Sequence, residues 1–263
     1  MCEDVFREVH QWFNYFPDEL SICRYSASQI MSLEKIKDVY HSLTYGRLCL
    51  DNLFATNYGE LIVDDEAGLG RAEIRSTIMN NCLSYYNYCI DYSWQVLWLY
   101  YSDMDESAFN NMDKYIEFMK ACKLEVLNPL LRRKNENVIR RHINTFFNRD
   151  EIRRVRKKYN TIKHRGFYHI EGLGTNYKES AISIDGDRLP LLHREEIDLN
   201  ELRQELIEFD NLFVEYFEVI IDKVVPSEIK DGIVREITFE EVIGQMSNLL
   251  ELINSNNENN TSL

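Results

Sequence analysis

RAEIRSTIMNNCLSYYNYCIDYSWQVLWLYY, residues 71–101, is the stretch that decides the fold. Ile74, Ile78, Cys82, Tyr85, Tyr86, Cys89, Trp94, Leu97, Trp98 and Tyr101 recur at helical spacing but cover more than one face. A helix that is apolar nearly all round has to be enclosed, so these residues predict the centre of a helical bundle or a subunit interface. Asn80, Asn81, Asn87 and Asp91 interrupt the pattern. Buried polar groups need partners, which points to ties between neighbouring helices.

Outward from this centre, most of the chain repeats at helical spacing. Residues 28–53 predict a long helix with Ile30, Leu33, Ile36, Val39, Tyr40, Leu43 and Leu48 inward. An acidic loop follows over 57–70, with Asp64, Asp65 and Glu66 before Gly68 and Gly70. Two further helices are expected over 106–123 and 129–147, and a basic one over 153–165. Around 180–193 the character changes. Ala181–Ile184 and Leu189–Leu192 flank Asp185-Gly186, a two-residue hairpin signal, and Pro190 marks an edge strand. Asp198 is placed to cap a helix running to Lys223, and a last helix is expected over 239–252. The expectation is a mainly α protein, a helical bundle with a small β-hairpin insertion. Residues 1–26 read as a short amphipathic extension broken at Pro17, 27–253 as one domain, and 254–263 as a disordered polar tail.

Composition supports an ordinary folded chain: 263 residues, 44% hydrophobic, with 10 Gly and 4 Pro, enough to bury a sizeable core. No stretch is apolar for long enough to cross a bilayer. Met1-Cys2-Glu3-Asp4 lacks the basic-then-apolar pattern of an export signal, so a cytoplasmic protein is expected. The six cysteines form no C-x-x-C pair, which favours buried free thiols over disulfides or zinc. Nothing matches a Walker loop, H-E-x-x-H, G-x-G-x-x-G or G-x-S-x-G, and Asp64, Asp65 and Glu66 read as a solvated loop. Neither a metal nor a cofactor is expected.

The net charge of −14 is unevenly distributed. Between Arg132 and Arg165, 13 Lys/Arg stand against 3 Asp/Glu, leaving 17 Lys/Arg and 41 Asp/Glu elsewhere. Such a patch is either a solvated face drawn to the acidic remainder of the chain or a local footprint for phosphate. Its centre is the run Arg153-Arg154-Val155-Arg156-Lys157-Lys158-Tyr159-Asn160-Thr161-Ile162-Lys163-His164-Arg165-Gly166. Ile152, Val155, Tyr159 and Ile162 form the apolar stripe, whereas Arg156, Asn160 and His164 recur every four residues on a neighbouring face. Gly166 stands where a helix stops, close to the cations that favour its negative end.

Asn160, Lys163, His164, Arg165 and Gly166 spell an N-x-x-K-H-R-G stretch that resembles the HEPN superfamily, in particular stand-alone bacterial members with a long helical bundle. The resemblance implies a homodimer and a metal-independent ribonuclease of a defence or toxin–antitoxin system, or an inactive relative that binds RNA or nucleotide. An antitoxin or a nucleotidyltransferase is the implied partner. The family's motif separates an arginine from the histidine by four to six intervening residues. Here Lys157, Lys158 and Tyr159 occupy that window, and Arg156 lies one position outside it. By the resemblance, His164, Arg156, Lys158 and Asn160 carry the catalysis, and Arg153, Arg154, Lys157, Lys163 and Arg165 hold the RNA backbone. The rival expectation is a helical interaction protein without nucleic-acid ligand, assembling through Trp94 and Trp98. Among the other histidines, His169 reads as packed beside the motif and His142 as solvated, whereas His10, His41 and His193 suggest no partner.

Overall fold

The protein is represented by a computed structural model, which describes residues 6–17, 22–59, 68–104, 108, 111–178 and 180–231. The helix expected over 239–252, the polar tail and Asp64–Glu66 lie outside the described residues. Within them the fold is mainly α-helical, with one small antiparallel hairpin.

Helix α1 (Ala27–Asn52) starts at Ser26, whose hydroxyl accepts from Gln29 N (3.3 Å) while Gln29 Oε1 accepts from Ser26 N (2.9 Å). This reciprocal cap satisfies two amides that a helix start leaves open. Helix α2 (Leu69–Tyr101) lies along α1 and also packs against three later helices. Its fully enclosed side chains include Met79, Cys82, Leu83, Tyr86, Cys89, Ile90 and Leu97. Trp94 and Trp98 are buried in the chain's own core, the latter 4.9 Å from the Phe118 ring, so the expected assembly surface is already filled. At Gly46, a Cβ would come within 3.3 Å of the Tyr86 ring, so a glycine is what lets α1 and α2 meet there.

The next segment corrects two expected boundaries. The helix expected over 106–123 is limited to α3 (Met112–Met119) among the described residues. The one expected over 129–147 is two: α4 (Leu124–Arg133), which carries Pro129 inside it, and α5 (Asn137–Phe147). Between them Asn135 takes φ +61°, Glu136 N donates to Leu131 O (2.8 Å), and Asn135 N donates to Arg132 O (3.1 Å). That is a Schellman stop with Asn replacing the usual Gly.

Helix α6 (Asp150–Arg165) is followed by Gly166 at φ +108°. The hairpin pairs β1 (Ala181–Ile184) with β2 (Asp187–Pro190), two residues earlier than expected for the second strand. Asp185 and Gly186 both have positive φ, as a two-residue hairpin turn requires. Helix α7 (Leu199–Val224) is capped by Asp198, which accepts from Asn200 N (2.7 Å) and Glu201 N (2.9 Å). A short α8 (Ser227–Lys230) follows. Val9 and Trp12 of the N-terminal segment are buried in the same core, Trp12 edge-on to Phe217 at 5.0 Å.

One polar cluster crosses this core. Asp210 of α7 is fully buried and accepts from Arg47 Nε (2.8 Å), Arg47 Nη2 (2.6 Å) and Tyr86 Oη (3.1 Å). Arg47 Nη1 also donates to Arg7 O (3.0 Å), so three helices and the N-terminal segment share one carboxylate. Burial pushes the Asp210 carboxyl up, and the Arg47 hydrogen bonds pull it back. Removing one member leaves the other charge buried without compensation, so Asp210→Ala is expected to lose about 3–5 kcal/mol of unfolding free energy in a urea titration. Arg47→Met removes the group that lowers the carboxyl's pKa and leaves it further raised. A carboxyl raised in the folded state costs stability as pH climbs above its unfolded value of about 3.9, in full once pH passes the folded one, so the variant's deficit should be larger at pH 8 than near 3.9.

Candidate functional site

Helix α6 buries Ile152, Val155 and Thr161 and packs against α2 and α7. Its cations divide between two sides. On the α7 side, Lys158 Nζ pairs with Glu205 Oε2 at 2.6 Å, and Arg154 reaches Glu205 (3.7 Å) and Glu208 (3.6 Å). On the other side, Arg153, Arg156, Lys157, Asn160, Thr161, His164 and Arg165 line a shallow cavity of about 400 Å³.

The structure therefore brings Arg156, Asn160 and His164 together, as the four-residue spacing predicts, with Arg153, Lys157 and Arg165 around them. It does not bring Lys158, Arg154 or Lys163 to that cavity. Lys158, expected beside the histidine, is turned to the opposite side because Glu205 on α7 captures it. Asn160 and His164 are both exposed, and no hydrogen bond joins them, so the asparagine does not orient the ring here. All seven lining residues belong to one helix; the cavity is a groove open on its far side.

Arg156 is the residue most firmly placed. Its guanidinium lies 5.5 Å from the Phe147 ring centroid, and Nη2 sits 3.6 Å from Asp91 Oδ1 on α2. Asn87 Nδ2 donates to Asp91 Oδ2 (3.0 Å), so two polar interruptions of α2 end up steering an arginine of α6. The contact at 3.6 Å is loose, leaving most of the guanidinium's five donors for another acceptor. Arg153 is held by Asn148, whose Oδ1 accepts from Nη2 at 2.7 Å. Thr161, at the groove's inner edge, is nearly buried, as is Tyr168 just past the helix end. Asp91 was legible as a tie between helices, though not to Arg156, whereas Glu205 was missed, since nothing local links it to α6.

Beside the groove, Tyr159 meets Tyr88 at 6.2 Å and starts a row of rings through Tyr85 to Tyr45 and His41, in steps of 5.4–6.2 Å. Tyr45, one step before its last ring, is 47% exposed, so the row emerges at the surface.

The remaining histidines behave differently from their sequence reading. His142 is half-buried, stacked on Tyr216 at 5.2 Å with Nε2 2.9 Å from Tyr216 O, and is not a solvated side chain. His10 bonds the Tyr40 hydroxyl at 3.2 Å, and His41 stacks on Tyr45. His169 lines a different cavity from His164. Among the described residues, Cys49, Cys82, Cys89 and Cys122 are free thiols. Burial pushes Cys122 up to about 12 and Cys82 and Cys89 up as well, which makes them poor nucleophiles. No group of three or more His, Cys, Asp or Glu is placed to hold a metal ion among the described residues, and no described helix is long and apolar enough to cross a membrane.

Fold and site together define a mainly α-helical protein that displays an open basic groove along one helix. No family model, curated protein or solved structure matches the chain. The division of α6 has a direct consequence for stability. Lys158→Met should lower the unfolding free energy by up to about 1 kcal/mol. Lys157→Ala and His164→Ala, without ion-pair partners among the described residues, should leave the urea midpoint unchanged.

Proposed function

We propose that the chain is a HEPN-like protein that binds RNA or nucleotide along α6 and, as a homodimer, cleaves RNA without a metal ion. The observation that carries this reading is the groove itself. Arg153, Arg156, Lys157 and Arg165 surround an exposed imidazole, and no carboxylate lines the same space. In a protein of net charge −14, most cations are needed to offset acidic neighbours, and this group is left facing outward. Phosphate is the ligand such an arrangement suits, because arginine presents a planar fork to two oxygens.

In the proposed reaction, His164 accepts the proton of a ribose 2′-hydroxyl as its oxygen attacks the adjacent phosphorus. The bond to the 5′-oxygen breaks, and a protonated imidazole from the second copy supplies that oxygen's proton. The products are a 2′,3′-cyclic phosphate and a 5′-hydroxyl. Arg156 stabilises the extra negative charge on the phosphorane. An imidazole suits both proton transfers because its pKa lies near neutrality. A second copy is invoked because the groove has a single wall and one ring cannot donate and accept at once. The biological setting proposed with this reading is a cytoplasmic defence or toxin–antitoxin system, with an antitoxin or nucleotidyltransferase as partner.

Anisotropy titration with a labelled single-stranded RNA tests binding. Affinity should fall steeply between 50 and 200 mM salt, and Arg153→Ala with Arg156→Ala should lower the salt slope by about two. His164→Ala should keep binding yet abolish cleavage in EDTA. Salt-independent or absent binding removes the proposal.

A second reading, a dimeric interaction protein with no nucleic-acid ligand, is favoured by the aromatic row, since exposed tyrosines are enriched where proteins meet. It predicts that Tyr45→Ala with Tyr85→Ala converts a dimer to a monomer in sedimentation while leaving any RNA titration flat.

A further inference from the structure

A cavity larger than the α6 groove lies elsewhere in the fold. It has a volume of about 620 Å³ and is enclosed by the first turns of α2, the segment 169–172, and the start of α7. Arg71 and Arg75 enter from α2, His169 and Glu171 from the connecting segment, and Phe54 closes one side. Its walls are pinned by backbone bonds: His169 N donates to Glu195 O (2.9 Å), and Ile197 N donates to His169 O (3.0 Å). At Gly172, φ is +86° and a Cβ would meet the Ala72 methyl at 3.5 Å, so this turn of the wall sits directly on α2.

Arg75 is the anomaly in this cavity. Its Nε is shielded from solvent without a hydrogen-bond acceptor, and among the described residues its guanidinium makes no ion pair within 4.0 Å. Three carboxylates line the same space, yet two are already committed. Asp198 accepts from Asn200 N and Glu201 N at the start of α7. Glu196 accepts from Asn176 Nδ2 (3.0 Å) and faces Lys178 (3.8 Å). With Nε sealed off, the two terminal nitrogens are the Arg75 donors left for an anion in the cavity that this residue lines.

We propose that this cavity binds a small organic phosphate of nucleotide size, with its phosphate on the Arg75 fork and its planar or apolar part against Phe54. The volume is far beyond that of a bare phosphate ion and falls within the usual range for small-ligand pockets. Arginine supplies paired parallel donors for a tetrahedral oxyanion, and His169 adds a further donor from the facing wall. The site is separate from the α6 groove. His169 follows His164 by five residues, but it lines this cavity and not the groove.

Thermal unfolding of the full chain, with AMP, pyrophosphate or citrate added up to about 10 mM, tests the assignment, because a ligand of the folded state stabilises it by RT ln(1 + L/Kd), where L is the free ligand concentration. AMP and pyrophosphate should give Tm rises that grow with the logarithm of concentration, with citrate at least about tenfold weaker, a difference of roughly 1.4 kcal/mol. The rise should persist in the Arg156→Ala, His164→Ala double variant and be lost in Arg75→Met. Arg75→Lys keeps the charge but not the fork. It should retain native circular dichroism and bind at least about tenfold more weakly, covering the case in which the methionine variant fails to fold. Three results overturn the proposal: no rise in Tm with AMP or pyrophosphate, equal response to citrate, or a response that survives Arg75→Lys at full strength but vanishes in the groove double variant. The last would place the anion on α6 and leave the ribonuclease reading intact.

Discussion

The bidentate contact between Arg47 and Asp210 is the constraint around which the helices are arranged. A fully enclosed carboxylate cannot remain charged without donors, and here they come from α1 and α2 toward α7. Apolar packing alone tolerates a helix rotated or shifted along its axis; three hydrogen bonds at 2.6–3.1 Å do not. The same point explains Gly46, one residue before Arg47, where a side chain would displace the Tyr86 ring that completes the cluster. With these three helices set, α6 has one seat available, against α2 and α7.

That seat sorts the basic residues of α6. Glu205 and Glu208 on α7 take Lys158 and Arg154, and Asp91 on α2 takes a loose hold of Arg156. These acids neutralise the flanks of the helix while its outward face keeps Arg153, Lys157, Arg165 and His164. The acidic excess of the protein is thus part of how the basic groove is confined to one strip.

Much of the architecture was legible in the residues. The nearly all-apolar run at 71–101 had to be central, the Asp185-Gly186 pair had to turn a hairpin, and Asp198 had to cap a helix. In each case one local physical rule was decisive. Asn135 was harder, since Asn enters the left-handed region less readily than Gly, and the break between α4 and α5 depends on Glu136 reaching back to Leu131. Pro129 misled because a proline near a helix start is common, whereas here α4 begins five residues earlier. Trp94 and Trp98 were read as an assembly surface because periodicity shows that a face is buried, not against what.

The sequence by itself determined that the protein is helical, that its second long helix is enclosed, and that Arg156, Asn160 and His164 share a face of α6. These follow from spacing along one chain segment, where 3.6 residues per turn is the governing geometry. Tertiary structure alone decided that Lys158 leaves that face for Glu205, that Asp91 steadies Arg156, and that Arg75 sits in a cavity without an acceptor. Those outcomes depend on charges and cavities contributed by residues tens to more than a hundred positions away, and no local pattern encodes such distances.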